Sequence, residues 1–118
     1  MKIVIPKMTT NKYHNKKAFV GNILFDSKKE CDYFYRLKLM EQAGMIKDIK
    51  RQVPFELVPT YKINGKTIRK MKYIADFTYI TTGDNKLHIV DVKGYRTEVY
   101  KLKKKIFEYK YNVEIEEI

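Results

Sequence analysis

The sequence predicts an α+β domain, α/β-like in having a mixed central sheet flanked by two helices. Three observations carry that prediction. Residues 28–43 and 98–111 repeat apolar side chains at helical spacing. The stretches around them are short runs rich in Ile, Val, Tyr, Phe and Thr, the strand formers. Those runs are punctuated by Gly21-Asn22, Asn64-Gly65 and Gly83-Asp84, dipeptides suited to tight hairpins. The resulting order is hairpin, helix, three antiparallel strands, helix and a last strand. A chain of 118 residues is long enough for one core and one domain.

In order, residues 1–17 read as a basic arm, with Tyr13, His14, Lys16 and Lys17 suited to a phosphate backbone or to nothing more than a loose terminus. Residues 18–118 form the single domain. Its first hairpin pairs 18–20 with 23–25. Ser27-x-x-Glu30 matches a capping box ahead of the first helix, and Gly44 is its stop. Glu30 also falls on the apolar stripe of Tyr33, Phe34, Leu37 and Met40, so it reads either as a cap or as a carboxylate aimed at the sheet. Lys28 and Lys29 in that first turn oppose the helix dipole and make more sense near phosphates. Pro54 and Pro59 mark an edge or bulged strand after Gln52. Asn64-Gly65 joins it to a long strand over 67–80, with Lys62, Lys66, Arg69, Lys70 and Lys72 around the hairpin tip. In the second helix Val99, Leu102, Ile106 and Tyr109 form the expected buried stripe, with Lys101, Lys104 and Lys105 away from it. VEIEEI over 113–118 alternates as a final strand.

Charge bounds the partners. Twenty-five Lys and Arg against fourteen Asp and Glu give +11, which favours nucleic acid or an acidic membrane surface. No apolar run reaches the length of a membrane span, and the first residues are too short an apolar stretch for a signal peptide. One cysteine, Cys31, forms no internal disulfide and fits a reducing cytoplasm, while one Cys and two His offer no zinc spacing.

The stretch from residue 73 to 94 carries the chemistry. A two-residue loop at Gly83-Asp84 and a four-residue loop over 82–85 are centred on the same point. Either one sets Ile80 opposite Leu87, Thr78 opposite Ile89 and Asp76 opposite Asp91. Carboxylates so opposed, with Cβ atoms about 5 Å apart, repel by roughly 3 kcal/mol at an effective dielectric near 20. A chain keeps such a pair when one member is protonated or when a divalent cation sits between them. Lys93 projects to the face of Asp91. The bland reading is a solvated hairpin whose lysine pairs with either carboxylate. The apolar run of Ile89, Val90 and Val92 around Asp91 argues against it.

Ala75-Asp76, fourteen intervening residues and Asp91-Val92-Lys93 resemble the PD-(D/E)XK nuclease superfamily of restriction enzymes, very-short-patch repair endonucleases, archaeal-type Holliday-junction resolvases and lambda-type exonucleases. From Asn11 to Ile118 the chain is similar to a family of small phage and prophage proteins of that superfamily, labelled a domain of unknown function. The further residues carrying the resemblance are Phe25-Asp26-Ser27-Lys28-Lys29-Glu30, Gln52 with Phe55-Glu56-Leu57, Tyr73-Ile74-Ala75-Asp76-Phe77 and Gly94. Ala75 stands where the superfamily's name has proline.

The resemblance implies a restriction-endonuclease-like sheet and a Mg²⁺-dependent DNA endonuclease, with Mn²⁺ substituting. Asp76 and Asp91 would bind the ion together with the Val92 carbonyl. Glu30 would hold an attacking water or a second ion, Lys93 would position the nucleophile, and Gln52 would orient water or phosphate. Lys28, Lys29, Arg96, Lys101, Lys104 and Lys105 would contact DNA. A homodimer acting in the host cytoplasm on phage DNA recombination, replication or packaging is the expected setting. The alternative is a non-catalytic nucleic-acid-binding protein on the same fold. A third reading is a phage protein that binds a host protein and uses its charge for solubility.

Overall fold

A computed structural model describes residues 9–10, 16–20, 23–93 and 95–118, with side chains from residue 24 onward. Of the basic arm over 1–17, Tyr13 and His14 lie outside the described residues, as do the Gly21-Asn22 turn and Gly94. The chain divides into two compact units, Met1–Ile46 and Lys47–Ile118.

In the first unit, β1 (Thr9–Thr10), β2 (Lys16–Val20) and β3 (Ile23–Phe25) make an antiparallel sheet in that order. Ala18 pairs with Phe25 and Val20 with Ile23, the hairpin expected from the two strand runs. Helix α1 (Lys28–Gln42) begins where Ser27 Oγ accepts from Glu30 N–H at 3.1 Å. It ends in a Schellman motif. Gly44 takes φ +76°, Met45 N–H reaches the Met40 carbonyl and Gly44 N–H reaches that of Glu41, each at 3.0 Å. Glu30, Cys31, Phe34 and Leu37 form the buried stripe, and the Phe34 ring packs on Phe25 at 5.2 Å.

The second unit is built on a mixed four-stranded sheet, so the fold is α+β. Its order is β4 (Ile46–Val58), β7 (Met71–Thr81), β8 (Leu87–Asp91), β9 (Ile115–Glu117). Strand β4 is an edge strand, which accommodates Pro54, and it carries left-handed φ values of 56° at Asp48 and 52° at Gln52. The long strand expected over 67–80 is instead divided. Asn64 and Gly65, both at positive φ, close a tight turn between β5 (Tyr61–Ile63) and β6 (Lys66–Ile68). That pair stands as its own two-stranded sheet, because β4 stops at Val58 ahead of Pro59, which has no N–H to offer a ladder.

Strands β7 and β8 are the inner pair, antiparallel, in the expected register: Ile80 opposite Leu87, Thr78 opposite Ile89, Phe77 opposite Val90. Their loop is the four-residue one. Thr81 N–H bonds the Lys86 carbonyl, and Asp84 accepts from Thr81 Oγ1 and Lys86 N–H. Asn85, not Gly83, supplies the positive φ, because a carboxylate-stapled turn places the left-handed residue at its end. β9 runs parallel to β8, with Ile89 beside Ile115 and Asp91 beside Glu117.

Helix α2 (Glu98–Tyr111) starts on Thr97, whose Oγ1 accepts from Tyr100 N–H, and stops at Asn112 in the left-handed conformation. Its buried face differs from the expected one. Val99, Leu102 and Tyr109 are 63%, 55% and 91% exposed, whereas Tyr100 and Phe107 are buried. The helix carries two stripes of apolar residues. The one with the larger aromatic rings wins because Phe107 meets Phe55 and Tyr73, at 5.1 and 5.4 Å between ring centres.

Candidate active site

Asp91 ends β8 and is 1% exposed. Sheet bonds hold its backbone on the β9 side, where Ile118 N–H donates to the Asp91 carbonyl and Lys93 N–H donates to that of Ile118. Tyr73 Oη–H donates to its Oδ2. Lys93 Nζ lies 3.0 Å from Oδ1, an ion pair by distance, yet no donor is directed at that oxygen in hydrogen-bonding geometry. The buried charge of Asp91 is therefore compensated by the lysine. The lysine ammonium is steadied by the Tyr100 ring, 4.4 Å to its centre.

Asp76, half-buried on β7, accepts from Val92 N–H through Oδ2 at 2.8 Å. Burial, and after it repulsion from and hydrogen bonding with Asp91, push its carboxyl up to about 6, although the Val92 N–H and the Lys93 charge pull the other way. The two carboxylates are neighbours, but the paired register ends at Phe77 and Val90, so Asp76 does not sit in the ladder opposite Asp91 as expected, and the strand is not regular there. Ile89 faces Thr78, while Tyr73 and Ala75 share its core cluster and Phe77 does not. Side-chain alternation therefore slips by one residue between Ala75 and Thr78, as at a bulge. The slip carries Tyr73 to the face of Asp91, and the Asp76 side chain takes the Val92 N–H at that point.

Around this pair sits a second ring of groups. Tyr100 Oη–H donates to Glu117 Oε2 at 2.7 Å, and Glu117 Oε1 meets Arg96 Nε at 3.1 Å and Lys104 Nζ at 3.4 Å. The Tyr100 hydrogen bond, with the two cations, holds the Glu117 carboxyl below its usual range. Burial, followed by its carboxylate partner, pushes each phenol of Tyr73 and Tyr100 well above the ordinary tyrosine range. Tyr73 consequently stays protonated as a fixed donor to Asp91.

Of the residues singled out in the sequence, Asp76, Asp91, Val92 and Lys93 come together. Gln52 is exposed on edge strand β4, and Glu30, buried, belongs to the first unit, where Lys28 and Lys29 are exposed beside it. Lys101 pairs with Glu98 at 3.1 Å, Arg96 and Lys104 with Glu117, and Lys105 is exposed. Tyr73, Tyr100 and Glu117 were not foreseen. Tyr73 is reached only through the slip in alternation, and Glu117 only through the parallel docking of the acidic tail beside Asp91.

Among the described residues, no three His, Cys, Asp or Glu side chains cluster to hold a metal. Two carboxylates do suffice for Mg²⁺, which keeps several waters and favours hard oxygen donors. The buried Asp91 beside the raised Asp76 carboxyl is a pair that a divalent cation would stabilise. The donor set therefore fits such an ion. Among the described residues no helix is long and apolar enough to cross a membrane.

No curated protein and no solved structure is significantly similar to this chain. A family model described as "Protein of unknown function (DUF1064)" matches residues 10–117, and the chain belongs to that family.

Proposed function

We propose that the chain is a metal-dependent DNA endonuclease that hydrolyses phosphodiester bonds. Selection by DNA structure, in phage recombination, replication or packaging, fits a small chain without a reading helix. The observation that carries this is the buried Asp91 at the end of an inner strand, beside Asp76 on the neighbouring strand and 3.0 Å from Lys93 Nζ. A chain does not retain two adjacent, partly desolvated carboxylates for stability, since they cost free energy unless a cation or a proton joins them.

In this reading Asp76, Asp91 and the Val92 carbonyl hold Mg²⁺, with Mn²⁺ able to replace it. The ion would polarise the phosphate and offset the charge that develops as the ester bond breaks. Lys93 turns its ammonium from Asp91 Oδ1 toward a phosphate oxygen and steadies the developing negative charge. The Tyr100 ring limits where that ammonium can go. Tyr73, keeping its proton, fixes the rotation of the Asp91 carboxylate. The +11 charge brings affinity without base specificity. Action in the host cytoplasm, and a homodimer when two strands are cut symmetrically, belong to the same proposal.

A second reading has its own observation. Tyr73 and Lys93 already satisfy much of Asp91, so the group also works as a closed structural cluster in a non-catalytic nucleic-acid-binding protein. The discriminating experiment is incubation with linear, flapped and four-way-junction DNA under Mg²⁺, Mn²⁺ or chelator. Wild type is compared with Asp91→Ala and Lys93→Ala. Metal-dependent cutting by wild type alone supports the nuclease. Binding without cutting in all three proteins supports the second reading.

A further inference from the structure

We propose that a cleft beside the carboxylate pair, lined by Lys72, Lys93 and Lys103, is a subsite for one phosphate group of a nucleic acid. The cleft has a volume of about 290 Å³ and runs between the start of β7 and the first turns of α2. That is the lower edge of the range for small-molecule pockets, the size for a phosphate and its sugar rather than for a whole cofactor.

Charge makes the case. Three lysines line the cleft, and among the described residues no carboxylate does. Of these three, Lys93 is paired with Asp91, at 3.0 Å. Lysines converging on a shared concavity repel one another unless an anion joins them.

Placement of Lys103 is the second argument. Helix α2 turns Val99 and Leu102 mostly to solvent, yet Lys103 is half-buried on the side that also carries Tyr100 and Phe107. A long cationic side chain in such a place can cover apolar surface with its stem while its charged head serves a polar site. An apolar residue there would give more stability, so the cation reads as kept for a ligand. Thr97, at the amino end of α2, also lines the cleft, and the helix dipole adds positive potential there. Ile74 and Val99 supply apolar walls against which a sugar can rest.

The identity of the ligand rests on the nucleic-acid reading above, whereas the anion site itself does not. Inorganic phosphate is the first probe, added at constant ionic strength and followed by the amide chemical shifts of residues 97–103 in metal-free protein. Saturable shifts there in wild type are expected. At least a tenfold loss of affinity is expected in Lys72→Gln/Lys103→Gln, with recovery in Lys72→Arg/Lys103→Arg. The control is Lys62→Gln/Lys66→Gln, which removes the same charge from the exposed β5–β6 hairpin and should change affinity less than threefold. Equal losses in the two double variants, or no saturable shift in wild type, would overturn the subsite.

Oligonucleotides ending in a 5′-phosphate or a 5′-hydroxyl form the second arm. A preference for the phosphorylated end that the cleft variant abolishes assigns a terminal phosphate. Equal binding, with the slope of log affinity against log salt reduced by roughly 0.7–0.9 in the cleft variant, assigns an internal phosphodiester. Unchanged binding of both by the cleft variant overturns the proposal. Loss of phosphate binding without any cleavage by wild type would keep the subsite and sink the nuclease. Cleavage with phosphate affinity intact in the variant would do the reverse.

Discussion

Replacing Asp76 by Asn should stabilise the metal-free protein at neutral pH while removing its activity. The Asp76 carboxyl lies at about 6 against an ordinary 3.8. A group whose native value is raised contributes its stability below the unfolded value and loses it as pH rises through the native one. Well below pH 3.8 Asp76 is protonated in both states and costs nothing. Above pH 6 the native state carries a carboxylate that burial and Asp91 disfavour. The difference of 3.8 from 6 corresponds to about 3 kcal/mol. Asp76 is partly reached by solvent, so screening brings the working figure to about 1–2 kcal/mol. Asn keeps an oxygen for the Val92 N–H, and its amide can donate to Asp91 as the proton did. Urea unfolding in chelator at pH 3 and pH 8 measures this. Asp76→Asn should match wild type within about 0.5 kcal/mol at the lower pH and exceed it by about 1–2 kcal/mol at the higher. Equal stability at both pH values, or a destabilised variant at pH 8, would refute the claim that the pair is held at a cost.

Three further outcomes follow from the same geometry. Tyr73→Phe leaves Asp91 Oδ2 buried without its donor and should cost about 1–3 kcal/mol in urea unfolding, more than Tyr→Phe at the exposed Tyr109. Lys93→Met removes the cation from a carboxylate that is 1% exposed. It should abolish cleavage and lower stability by about 1–3 kcal/mol, a loss that Asp91→Asn in the same chain should largely restore in a double-mutant cycle. Adding Mg²⁺ should raise the melting temperature of wild type more at pH 8 than at pH 5, because the ion competes with the Asp76 proton; a shift of equal size at both pH values, or the same shift in Asp76→Asn, would count against the site.

What the sequence allowed depended on how local the cause was. Helix α1 was legible at both ends because Ser27 and Gly44 act within one turn of themselves. The β7–β8 register was legible because it depends only on where the turn is centred, and Thr81 to Lys86 is a closed local unit. The slip between Ala75 and Thr78 was not, since alternation read from residue types alone assumes a regular strand. For that reason Asp76, Asp91 and Lys93 could be grouped beforehand, while Tyr73, three residues from Asp76 and on the expected opposite face, could not. Helix α2 offered two apolar stripes, and the choice between them was made by Phe55 and Tyr73, residues distant in sequence that nothing local to the helix reveals. Glu117 entered the ring around the site through parallel pairing of β9 with β8, a non-local contact of the same kind.

The measurement closest to the central claim is a titration of metal-free protein with substoichiometric Mn²⁺, read by paramagnetic broadening of backbone amides at pH 7.5. A divalent cation held by the carboxylate pair should broaden Asp76, Asp91, Val92 and Lys93 first, and Mg²⁺ in excess should restore them. In Asp91→Asn the effect should vanish. Broadening centred elsewhere, for instance on Glu114 and Glu116, or an unchanged pattern in Asp91→Asn, would contradict the account.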